Sequence, residues 1–66
     1  MNNVHVNEIV YIPFYNGYIR YKIKKVFDDS VLALTYKSGV ANWLMINELM
    51  DTDTFTKIYN NEPIYE

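Results

Sequence analysis

The sequence predicts an all-β fold of five short strands with one helical or 3-10 turn before the last strand. Three observations carry this. The apolar segments are short, β-branched and aromatic; an Asn-Gly pair separates the first two; and residues 18–24 alternate between apolar and basic side chains. The chain has 66 residues, 50% of them apolar and 21% charged, with two glycines and two prolines. That is one domain, spanning 1–66, and a composition outside the disordered range.

The first strand is Glu8 to Phe14, where Glu-Ile-Val-Tyr-Ile-Pro-Phe has no polar face of helical period. Pro13 lacks a backbone donor, which puts it at a strand end or an edge. Asn16-Gly17 accommodates positive φ, so the corner from Tyr15 to Tyr18 is the strongest hairpin signal in the chain. In the second strand Ile19, Tyr21 and Ile23 fall on one face, and Arg20, Lys22 and Lys24 on the other. The alternation slips at Lys24-Lys25, which predicts a bulge. Asp28-Asp29-Ser30 is the next turn, because Asx and Ser side chains close local hydrogen-bonded turns.

Val31 to Tyr36 is apolar on both faces, as a central strand is, and Lys37-Ser38-Gly39 ends it. Val40 to Met45 reads as a fourth strand, although Trp43, Ile46 and Met50 also fit a helical spacing. Ile46 to Met50 reads as one helical or 3-10 turn, Asp51-Thr52-Asp53 as a break, and Thr54 to Tyr59 as the fifth strand. Residues 60–66 form a polar tail. The expected core is Val10, Ile12, Ile19, Ile23, Val26, Leu32, Leu34, Leu44, Ile46 and Leu49.

Five short strands with a helical turn before the last is the order of a small SH3-like barrel, here over about 8–59. Glu8-Ile9-Val10-Tyr11-Ile12-Pro13 resembles the opening strand of Tudor- and KOW-type domains. Gly39-Val40-Ala41-Asn42-Trp43-Leu44, with Ile46, Glu48 and Leu49, resembles their fourth strand and following turn. The resemblance implies that barrel.

Chemistry is sparse. There is no cysteine, which removes disulfides, thiolate nucleophiles and cysteine-based zinc sites and suits a cytoplasmic location. His5 stands alone in an N-terminal segment expected to fray, and Ser30 and Ser38 lie in turns. Asp28-Asp29 and Asp51-x-Asp53 are explained by turn formation, and the latter lacks the glycine of a calcium loop. No phosphate loop is present. The reading is therefore non-enzymatic, without metal or cofactor. Apolar runs of four residues or fewer exclude a membrane-spanning helix, and the first eight residues carry no secretory signal.

Two features point to binding. The first is aromatic content, 17% with seven tyrosines and one tryptophan, more than a small core encloses. Tyr11, Tyr15, Tyr18 and Trp43 are expected at the surface, because Val10, Ile12, Ile19 and Leu44 fill the core better. Such residues favour a protein-binding face. The second is the basic row Arg20, Lys22 and Lys24, about 7 Å apart, with Lys25. It offers an alternative nucleic-acid surface, though it also serves as a solvated strand face that blunts aggregation. Residues 1–27 carry a balance of +3 and residues 28–66 a balance of −5. Richness in Asn, Ile, Tyr and Lys accompanies AT-rich coding sequence, as in a low-GC bacterium or its phage. The expected role is a small phage-encoded or bacterial accessory protein that binds and modulates or inhibits a host protein. A homodimer formed through an exposed strand edge is a third class.

Overall fold

The computed structural model describes residues 3–66. Its strands are β1 (Ile9–Phe14), β2 (Gly17–Val26), β3 (Ser30–Thr35), β4 (Ala41–Met45) and β5 (Met50–Asp51). A 3-10 turn, Ile46–Glu48, precedes β5, and one helix, α1 (Thr52–Ile58), follows it. The sheet is antiparallel in the order β4-β3-β2-β1-β5. Flat, five strands would set their edges about 19 Å apart. Yet residues 46–49 bridge β4 to β5, and a 3-10 turn rises only about 2 Å per residue. The sheet therefore curls, but no ladder joins β4 to β5 and it stays open. The closed barrel expected from the sequence is not formed.

The curl starts in β2, the longest strand. It pairs with β1 over Gly17–Lys22 and with β3 over Tyr21–Val26, with a register shift between Ile23 and Lys25. Lys24 is thus the extra residue of the expected bulge, and a bulged strand bends.

Register assigns the two faces. Val10, Tyr21, Ile23, Val31 and Ala33 are buried on the inner face, where Val4 and Leu49 join them and Ile12, Ile19, Leu44 and Ile46 pack alongside. Val26 is 40% exposed, and Leu32 and Leu34, expected in the core, lie half-buried on the outer face. Val31, Ala33 and Thr35 take the inward positions of β3. The N-terminal segment is anchored rather than frayed: Val4 is buried and the Asn7 N–H donates to the Ile23 carbonyl at 2.7 Å.

The turn of the first hairpin falls one position earlier in the chain than expected. Phe14 pairs with Gly17, so Tyr15 and Asn16 form the loop, and Tyr15 takes the positive φ of 52°. Gly17 serves another purpose. A Cβ there would overlap the Pro63 carbonyl oxygen and lie 2.8 Å from Tyr65 Cε2. The C-terminal segment runs beside it: the Tyr18 N–H donates to the Pro63 carbonyl at 2.9 Å and the Tyr65 N–H to the Tyr18 carbonyl at 2.8 Å. Pro13 explains why Tyr18 is available. It sits opposite Tyr18 and has no N–H, and antiparallel pairs alternate in bonding. Tyr18 therefore turns its backbone groups away from β1. The segment read as a polar tail is a docked strap.

Thr54 to Tyr59, expected as the fifth strand, lies in and beyond α1. Asp51 caps this helix by accepting from the Thr54 N–H at 2.7 Å, and hydrogen bonding from the Thr54 side chain, then from its backbone, lowers the Asp51 carboxyl below its ordinary value. At seven residues the helix is too short to persist by propensity, so packing decides it. Its buried residue, Phe55, stacks flat on Tyr11 with ring centroids 3.8 Å apart.

Candidate functional site

The outer face of the sheet divides in two. At the β1 end α1 covers it: Phe55 rests on Tyr11 and meets Tyr18 edge-on at 5.0 Å, and Tyr59 lies 4.7 Å from Phe55. Tyr11 keeps only 7% of its surface, so it is a core aromatic of this second layer and not the surface contact expected of it. Tyr18 is half-buried in the same cluster.

At the β2–β3–β4 end no helix or strand among the described residues covers the outer face. Cross-strand register gives one row of Lys25, Leu32 and Trp43 and another of Lys22, Leu34 and Ala41. Trp43 is 66% exposed, and Phe27, 45% exposed, lies beside it with centroids 5.2 Å apart. Lys22, Lys24 and Lys25 are exposed along the margin. Lys22, Lys24 and Leu34, with Val6, Asn7 and Ile23, line an open pocket of about 240 Å³. That is below the size of ordinary small-molecule sites.

The structure thus brings Trp43 together with Lys22, Lys24 and Lys25, which the sequence had assigned to two different surfaces. It separates Tyr15 from them. Tyr15 is 91% exposed at the β1–β2 loop, and Gly17 to Lys25 along β2 spans about 26 Å. Arg20 is withdrawn from the basic row: its guanidinium stacks 3.8 Å over the Tyr36 ring, and its Nε is buried without a hydrogen-bond partner.

Of the other residues of this patch, Phe27 carries no sequence signal, and Leu32 and Leu34 read from sequence as core. The signal for Leu32 and Leu34 is parity alone, and it requires knowing that Val31, Ala33 and Thr35 face inward. Among the described residues no three His, Asp or Glu side chains are grouped to hold a metal ion, and no helix is long and apolar enough to cross a membrane. Comparison of the chain with protein-family models, curated proteins and solved structures finds no match.

Proposed function

We propose that this protein is a non-catalytic module that binds another protein through the open outer face of β2, β3 and β4, with Trp43 and Phe27 as anchors. The observation that carries this is the exposure of Trp43 beside Phe27 on a face with Leu32 and Leu34 at its centre. Large aromatics left in water beside aliphatic side chains are the usual energetic anchors of interfaces. The lysine margin favours a partner surface with acidic groups around an apolar centre. The biological setting proposed is a phage-encoded or bacterial accessory protein in the cytoplasm that modulates or inhibits a host protein. Composition and the absence of cysteine support that setting. The meander order and the 3-10 turn between β4 and β5 support kinship with small SH3-like barrels in an unclosed form.

Affinity capture from bacterial lysate, with and without nuclease, tests this against its alternative. Trp43→Ala and Phe27→Ala should each weaken the captured protein complex by about 2 kcal/mol or more, roughly thirtyfold, at parental melting temperature. Tyr15→Ala should leave it unchanged. Parental affinity in both patch variants would refute the assignment.

The alternative is nucleic-acid binding by the same face, favoured by the row that places Lys25 beside Leu32 and Trp43. Each phosphate contacted by Lys22, Lys24 or Lys25 contributes about −0.9 to the slope of log K against log salt on duplex DNA. Nuclease-sensitive capture, lost in Lys22→Glu with Lys24→Glu, would select this alternative.

A further inference from the structure

Among the described residues, the backbone of β4 is half used. The Thr35 N–H donates to the Val40 carbonyl at 2.9 Å, and the Ile46 N–H donates to the Asp29 carbonyl at 3.0 Å. These two bonds bracket the β3–β4 ladder, and antiparallel pairs alternate between them. The bonded positions are therefore Asn42 opposite Ala33 and Leu44 opposite Val31. Ala41, Trp43 and Met45 turn their N–H and C=O groups to the opposite side, where the sheet ends. All three are exposed.

Natural edge strands are protected by lysine, proline, bulges or a covering element. Ala-Asn-Trp-Leu-Met has no charge and no proline, and its register with β3 is unbroken. The opposite edge does not compete, since β5 is two residues long and α1 follows it directly.

We propose that β4 pairs antiparallel with β4 of a second copy of this chain, about a two-fold axis at Trp43, joining two five-stranded sheets into one. In this register Trp43 faces the partner's Trp43, and Ala41 faces the partner's Met45. All three outward residues then find backbone partners at once, a small side chain meets a large one, and no charge is opposed within the strand. The flanks select the direction. Lys37 precedes β4 and Glu48 follows it, and both are exposed. Antiparallel pairing brings each toward the opposite charge of the other copy, whereas parallel pairing aligns like charges. Across the seam the outer face carries one continuous row, Lys25–Leu32–Trp43 followed by the partner's Trp43–Leu32–Lys25.

This dimer is independent of any foreign partner, so it is tested on the protein alone by sedimentation equilibrium of the full chain from about 10 μM to 1 mM, a range that covers weak association. The mass should rise from 7.9 kDa toward twice that value. Emission from the single tryptophan should shift to the blue over the same range. Met45→Lys adds a lysine to the edge, and Ala41→Pro removes an outward N–H without breaking a β3 bond. Both should keep the parental far-UV spectrum and weaken association at least tenfold. A parental mass that stays at 7.9 kDa, association that continues past two copies, or a folded Met45→Lys variant that dimerises like the parent would each overturn the proposal.

Discussion

Gly17→Ala probes the contact between the first hairpin and the C-terminal strap. Gly17 is buried and has no positive φ, so alanine suits its backbone. By itself the change should stabilise the chain by about 0.4–1 kcal/mol, through the smaller entropy of the unfolded state. In the intact protein the added methyl meets the Pro63 carbonyl and the Tyr65 ring. The strap must then lift off. Two backbone hydrogen bonds at Tyr18 are lost, together with the bond from the Tyr65 hydroxyl to Asn16 Oδ1. At about 1 kcal/mol each, the net loss is about 2–3 kcal/mol. For a domain of this size that corresponds to a fall in Tm of roughly 8–24 °C. Thermal unfolding followed by far-UV circular dichroism measures it. The same substitution in a chain lacking residues 63–66 should be neutral or stabilising, because the clash is gone. An equal effect of Gly17→Ala in both backgrounds would show that the strap is not what requires glycine here.

Three further outcomes follow from the same geometry. Tyr15→Gly should be more stable than Tyr15→Ala by about 1 kcal/mol in urea unfolding, because only glycine relieves the left-handed backbone at φ 52°. Phe55→Ala should lower stability by about 3–5 kcal/mol and abolish α1, read as a lost Tm and lost helical ellipticity, because the helix is held by that ring on Tyr11. Burial, and secondarily the Glu66 carboxylate, raise the ionisation of Tyr21 above its ordinary value of 10.0. Its neutral form is therefore favoured by the fold, a contribution fully present below pH 10 and lost as pH rises through the folded pKa. Tyr21→Phe should flatten the alkaline decline of stability measured between pH 9 and 12.

Where local rules and tertiary packing agree, the sequence was legible. Alternation in residues 18–24 placed Tyr21 and Ile23 inside and Lys22 and Lys24 outside, and the lysine doublet marked the bulge. Where a distant segment decides, it was not. The glycine of Asn16-Gly17 looked like a turn residue, but Pro63 is what requires it. Thr54 to Tyr59 has the β-branched and aromatic residues of a strand, and Asp51 looked like a breaker when it is a cap. Alternation did put Tyr11 opposite Val10 and Ile12; that Phe55 would cover it was written nowhere near it. Trp43 and the lysines stood out by residue type. Their sharing one face depended on the parity of β3, which is apolar on both sides and so silent.

The bulge at Lys24 has a consequence for how chain length can vary here. Ile23 pairs with Ala33 and Lys25 with Leu32, and those two partners are themselves adjacent. Deleting Lys24 would leave every remaining pair of β2 and β3 as it is, with Lys25 still outward and Val26 still opposite Val31. A gain or loss of one residue at this point is therefore silent in pairing and is felt only in the curvature of the sheet, so a single codon sets how far β4 and β5 swing toward each other.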